Sequence, residues 1–445
     1  MPLIDSLATT PDLAKLFSDQ SLLQAMLDFE TALARVQANA GIIPHDAANK
    51  IAASALESFD INSLTQDTLR AGTPGIPFVK ALTENVRSSS PSAAGYVHWG
   101  ATSQDVADTA LILLLKKAQA LLETDIVRVE EASRRLSDQH AHTVMLGRTL
   151  LQPGPPITFG LKAAGWHSAI RHCRIHLESA FKETLVLQFG GATGTLASLG
   201  HRGLEVSAAL AQELGLGCPE APWHTHRDRL ATLMCACGVL TASLGKIARD
   251  ISLLMQSEIA EVAEASSPGR GGSSTMPYKR NPIGCTLALA AAHRVPGMIA
   301  AFLGAMPQEH ERAVGGWQSE WPTVAGIVQA TGLAAASMAE VLEGLTVDAA
   351  RMRANIHATH GTIFAERAMM LLAPHIGRDA AHKLLEEAVR KSIENEQSLG
   401  EVLGEMPEIT RLLDHATLEG LDVPENYLGA AEEFRLRLLT PEKKK

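Results

Sequence analysis

Apolar residues recur at helical spacing along most of this chain. Between residues 12 and 40, Leu13, Leu16, Phe17, Leu23, Met26, Leu27, Leu33 and Val36 share a face before Gly41 and Pro44 end the run. The pattern lengthens from about residue 107. Arg229 to Ala265 contains no proline and only two glycines, and Leu230, Leu233, Val239, Leu244, Ile247, Ile251, Leu254, Ile259 and Val262 follow a heptad-like spacing. That predicts a rod longer than an ordinary globular helix. Similar rods can be drawn through 155–186, 283–305 and 322–346, and no alternating strand pattern or internal repeat stands beside them. The fold class expected is all-α. After about residue 355, Gly361, Pro374, Gly377, Pro407 and Pro424 break the pattern into short helices, which predicts a smaller C-terminal domain. The division expected is 1–106, 107–355 and 356–445.

Composition narrows the function classes. The formal net charge of -10 argues against nucleic acid or an anionic membrane surface as partner, since both select basic surfaces. A small anion could still bind where cations concentrate, and Arg270, Lys279, Arg280, Arg294 and Arg312 lie close in sequence. Trp321 to Ala339 carries no charge over nineteen residues, but Pro322, Thr323, Gln329, Thr331 and Ser337 make it better suited to a buried helix than to lipid. Five cysteines without a Cys-x-x-Cys pair predict reduced, buried thiols, and Met-Pro-Leu-Ile-Asp-Ser has neither the cationic start nor the apolar core of a signal peptide. A cytoplasmic protein is expected.

Three loops concentrate chemistry. Ser266 to Pro282 interrupts two helical runs and holds Ser273, Ser274, Lys279, Arg280 and Asn281 between glycines and prolines, as a catalytic lid would. His98-Trp-Gly-Ala-Thr-Ser-Gln-Asp105 leads into a helix; Thr102 with Asp105 three places on fits a capping box, and such a terminus attracts carboxylates. Gly147-Arg-Thr-Leu-Leu-Gln-Pro153 is the third. Gln188 to Gly200 is glycine-rich but lacks Gly-Lys-Ser/Thr and follows no strand, so it is read as a tight interhelical turn rather than a nucleotide loop. His224 and His226 have a metal-compatible spacing but no accompanying carboxylate cluster, so they are read as lining a loop.

The string Gly-Ser-Ser-Thr-Met-Pro-Tyr-Lys-Arg-Asn-Pro closely resembles the signature of the aspartase/fumarase superfamily, whose members add or eliminate a group across a carbon–carbon bond beside a carboxylate. The resemblance implies a three-domain all-α subunit with a long central bundle, packed as a homotetramer whose active sites each draw on three chains. It implies neither metal nor cofactor. It implies Ser273 as the acid/base at the carbon next to a carboxylate, with Lys279 and Asn281 stabilising the enediolate-like dianion. Thr102, Ser103, Thr149 and Gln152 would position carboxylates, Arg312 would match a substrate-binding arginine, and His98 would serve substrate contact or loop support. For Arg312, an ion pair with Glu309 or Glu311 is the competing structural role.

One position departs from the superfamily pattern. The third loop usually reads Gly-Arg-Thr-His-Leu-Gln, and here Leu150 replaces the histidine that assists the leaving or attacking group. Eliminating an amine or adding water benefits from such an acid/base, whereas a carboxylate attacking within its own molecule is already ionised and already positioned. With Thr73-Pro-Gly-Ile-Pro-Phe-Val-Lys, Val97 to Asp105 and Trp223-His-Thr-His-Arg-Asp228, the chain resembles the superfamily's cycloisomerase branch. The implied reaction is lactonisation of a carboxylated muconate, a product of aromatic-ring degradation. The alternatives are a lyase of the adenylosuccinate or argininosuccinate type, a cycloisomerase of a 3-sulfo analogue, and a non-catalytic structural homologue.

Overall fold

The computed structural model describes residues 3–265, 271–272, 275–276 and 279–440. Helices dominate, as the hydrophobic spacing predicts, and the chain divides into two compact units. The first takes residues 1–126, 172–245 and 287–337, the second 127–171, 246–286 and 338–445.

In the first unit, short polar side chains set the helix starts. Thr10 caps Pro11–Leu16, and Ser18 accepts the Ser21 N–H at 3.3 Å to begin Asp19–Asn39, so the single run expected over 12–40 is two helices. Asp60 caps Ile61–Ala71 through the N–H groups of Asn62 and Ser63. The core forms where Leu23, Met26, Leu27, Phe29 and Leu33 meet Phe78, Leu82, Val86, Val106, Leu114, Leu187, Phe189 and Leu210. Phe29 and Phe189 pack edge to face at 6.5 Å, and truncating Phe29 to alanine would cost about 3–5 kcal/mol. That contact fixes where the chain after residue 187 runs. Gln188 to Gly200 is thus not a tight interhelical turn but a longer looped strap, in which the Leu196 N–H closes on the Gly190 carbonyl at 3.0 Å before the 3-10 helix Ala197–Arg202.

The second unit contains the one departure from purely helical structure that matters for the site. Val144–Thr149 pairs antiparallel with Gln152–Thr158, in a region the sequence reading gave to loop and rod. Its first strand is buried on three consecutive positions, and its second, which alternates in burial from Gly154 on, carries three prolines, so neither shows an alternating apolar pattern in sequence. Gly147 sits at the irregularity in register; a Cβ there would lie 2.4 Å from the Pro155 carbonyl oxygen. Val144 and Leu146 are buried with Ile356, Phe364, Leu372, Leu385, Leu399, Leu403 and Ile409, so the short C-terminal helices build their core directly on the hairpin.

The long rods appear with shifted ends. Ile283–Ala305 is as expected and tolerates Pro296, while Gly316–Glu343 starts before Pro322 instead of at it. The rod expected to reach Ala265 is Asp228–Leu254. It stops because the chain turns through Ala260, whose φ is 49°, to pair Val262–Ala263 with Thr346–Val347.

Candidate active site

In the first unit, the loop from His98 to Asp105 is held by groups that spend almost none of its own hydroxyls. His98 Nδ1 bonds the buried Glu30, and Gln37 donates to the Trp99 carbonyl at 2.7 Å. Burial alone would lower the His98 pKa, but the charge and hydrogen bond of Glu30 outweigh it and leave the imidazole above its ordinary value. His98 therefore supports the loop by anchoring it to the buried Glu30 carboxylate. Two residues, His98 at φ 58° and Gly100 at φ 75°, turn the backbone into the Ser103–Gln139 helix, whose first residue abuts the start of Gly75–Ser89.

The cap of that helix differs from the expected box. Asp105 does reach back to the Thr102 N–H, at 3.0 Å. The Asp105 N–H, however, donates to the Thr102 carbonyl at 2.9 Å and not to its hydroxyl. Among the described residues the Thr102 and Ser103 hydroxyls make no hydrogen bond, and both residues are half-buried. The Asp105 carboxylate also accepts from the Gly190 and Gly191 N–H groups at 3.0 and 2.8 Å and from His224 Nε2 at 2.7 Å. Arg312 joins the same strap by donating to the Ala192 carbonyl at 2.8 Å. Its guanidinium forms no ion pair with Glu309 or Glu311, so the competing structural role for Arg312 is not the one adopted. His98, Thr102, Ser103 and Arg312 are thus tied into one assembly.

Beneath it lies a buried ionic cluster that the sequence did not reveal. Arg227 bonds Asp108 through Nη1 and Nη2 and Glu320 through Nε and Nη2, at 2.6–3.1 Å, with all three side chains at most 1% exposed. The Trp223 ring covers the guanidinium at 4.6 Å, Trp317 Nε1 donates to Asp108 at 2.9 Å and Gln308 to Glu320 at 2.6 Å. Two carboxylates share one cation. Burial pushes Glu320 above the usual carboxylate range, and Arg227 only partly offsets it.

The second unit carries the remaining candidates. Thr149 and Gln152 face each other as the last pair of the hairpin, with Leu150 and Leu151 forming a two-residue tip at φ 50° and 67°. Leu150 is 96% exposed, so nothing in this subunit's structure requires it to be apolar. Arg148 below the tip is spent on Glu261, with two bonds at 3.0 and 2.7 Å, and Asn355 donates to the same carboxylate at 2.8 Å. Flanking the segment from 266 to 282, Glu264 accepts the Gly284 and Cys285 N–H groups at 3.0 Å each, capping Ile283–Ala305, and within the segment the Asn281 N–H bonds the Gly271 carbonyl at 2.9 Å. Lys279 is exposed and forms no ion pair among the described residues. Ser273 lies outside the described residues. His224 and His226 do not act together: the first is buried against Asp105, the second exposed.

Comparison with known proteins follows this geometry. A family model described as Lyase matches residues 7–297, and one described as Adenylosuccinate lyase C-terminus matches 361–438. The chain is 45% identical to 3-carboxy-cis,cis-muconate cycloisomerase of Bradyrhizobium diazoefficiens over 98% of its own length and 97% of the relative's. It is 46% identical to the Pseudomonas aeruginosa enzyme of the same name, over 98% and 95%. The crystal structure of 3-carboxy-cis,cis-muconate lactonizing enzyme from Pseudomonas putida superimposes with a TM-score of 0.92 at 43% identity, covering 98% of each chain.

Proposed function

Because this chain belongs to the lyase family of the aspartase/fumarase superfamily, we propose that it closes 3-carboxy-cis,cis-muconate to 4-carboxymuconolactone, a step of aromatic catabolism. The observation that carries this reading is full-length identity of 45–46% to cycloisomerases of that name. Leu150 agrees with it. A side chain that cannot transfer a proton occupies the hairpin position where the superfamily usually has a histidine.

The chemistry balances without a protein nucleophile. A carboxylate oxygen of the substrate forms a bond to one carbon of a C=C, the π electrons move to the neighbouring carbon beside a second carboxylate, and that carbon takes a proton. We assign the proton to Ser273, and stabilisation of the intervening dianion to Lys279 and Asn281. Thr102 and Ser103, whose hydroxyls are unspent among the described residues, Arg312, which forms no ion pair among them, and Thr149 and Gln152 on the hairpin would hold the carboxylates. His98 would support them by holding the loop in place through its bond to Glu30.

The subunit would work as a homotetramer in the cytoplasm. Among the described residues three helices, Asp228–Leu254, Ile283–Ala305 and Gly316–Glu343, are long and apolar enough to cross a membrane by length and composition, and only 22% of the most apolar window of Ile283–Ala305 is buried. Further copies of this chain would cover that surface, as the net charge of -10 disfavours an anionic bilayer. The direct test is loss of diene ultraviolet absorbance when purified protein meets 3-carboxymuconate. Fumarate release from adenylosuccinate or argininosuccinate instead would place the chain with the amine lyases, and inertness towards all three would leave a non-catalytic homologue.

A further inference from the structure

We propose that Asp105 is a positioning residue for this reaction, one that caps the Ser103–Gln139 helix so that the Thr102 hydroxyl stays free for a substrate carboxylate. The proposal rests on the reading above that the Thr102 loop binds such a group.

A carboxylate buried this completely is costly unless its lone pairs are satisfied. Asp105 meets that demand with four donors: the N–H groups of Thr102, Gly190 and Gly191, and His224 Nε2. Three of these are backbone groups from two separate segments, so the side chain fixes main-chain positions as well as its own. An ordinary cap would have used the Thr102 hydroxyl as acceptor for the Asp105 N–H. Here that N–H goes to the Thr102 carbonyl and the hydroxyl is left over.

The same carboxylate places Arg312. Gly191 precedes Ala192, whose carbonyl anchors the Arg312 guanidinium. The strap must come close to do this: a Cβ on Gly191 would lie 3.0 Å from the Gly100 carbonyl, and one on Gly190 would lie 2.9 Å from His224 Cε1. One buried charge thus sets the distance between the hydroxyl loop and the arginine. His224 acts through Asp105 as a hydrogen-bond donor.

The test uses the full-length enzyme and two readouts: steady-state kinetics on 3-carboxymuconate, and calorimetric binding of propane-1,2,3-tricarboxylate. Asp105→Asn places an NH2 group among backbone donors, and should raise both KM and the Kd of the probe about tenfold or more, with a smaller fall in kcat. His224→Leu should do the same, whereas His224→Gln, which retains a donor at the Nε2 position, should stay within about twofold of wild type. Should Asp105→Asn fail to fold, the leucine and glutamine variants of His224 carry the same comparison. Unchanged KM and Kd in His224→Leu or in folded Asp105→Asn would overturn the proposal, as would a kcat loss in His224→Gln equal to that in His224→Leu. If wild type binds the probe but does not turn over the muconate, the functional reading falls while the binding comparison still decides the role of Asp105.

Discussion

Replacing Arg227 by methionine removes the cation and all five of its hydrogen bonds but leaves Asp108 and Glu320 buried together. Breaking a buried ion pair by deleting one partner costs about 3–5 kcal/mol, because the other charge stays behind without compensation. For a chain of this size that is a fall of about 3–5 °C in melting temperature at neutral pH, read by scanning fluorimetry. The pH dependence gives the argument its sign. Glu320 already lies above its ordinary value of 4.5 through burial, so its contribution favours the folded state below that value and is lost as pH rises through the raised one. Without Arg227 that pKa climbs further, and protonation relieves the repulsion sooner. The deficit of Arg227→Met should therefore shrink as pH falls from about 7 towards 5, and adding Glu320→Gln should recover part of it at neutral pH. A melting temperature within a degree or so of wild type, or a deficit that grows on acidification, would refute the reasoning.

Ser273→Ala should be nearly inactive yet melt close to wild type, because a proton-transfer group contributes orders of magnitude to turnover and little to stability; wild-type-like turnover would remove it from the mechanism and direct attention to Ser274. Leu150→His should not accelerate lactonisation and should more readily slow it, since the histidine admits water where ring closure needs none; a large gain in turnover would move the chain towards the amine lyases. Two inactive variants, one altered at Thr102 and one at Thr149, should recover activity at roughly a quarter of sites after subunit exchange if the sites are shared between chains. No recovery after demonstrated exchange would argue for sites built within one subunit.

The sequence was informative wherever a signal is local. Heptad spacing located the rods, since burying a helix face requires apolar residues every three or four positions whatever the partner. Their ends were harder to read. Nothing between Met255 and Ala265 breaks the pattern, and the turn there is forced by pairing with Thr346–Val347, some eighty residues further on. The hairpin was illegible for the opposite reason: its buried strand looks like part of a helix core, and its prolines look like loop. Within the site, Asp105 was visible only as a cap residue. Its partners Gly190, Gly191 and His224 lie 85 to 119 positions away, and the one local hint, a Gly-Gly pair, also fits a turn. Arg227 was legible only as one residue of the Trp223–Asp228 motif; its burial was not, because an arginine between His226 and Asp228 is ordinarily solvated, and only the fold supplies Asp108 and Glu320 as its partners.

The leucine pair at the hairpin tip matters to anyone redesigning this protein. A two-residue turn with both φ values positive is suited to Asn-Gly, and an L-residue there is strained by about 1–2 kcal/mol. A redesign ranking substitutions by stability would therefore replace Leu150 and Leu151 early. On the role proposed above for Leu150, a stabilised variant that loses it would be a better fold and a poorer catalyst, and the hairpin tip is the first position such a programme should hold constant.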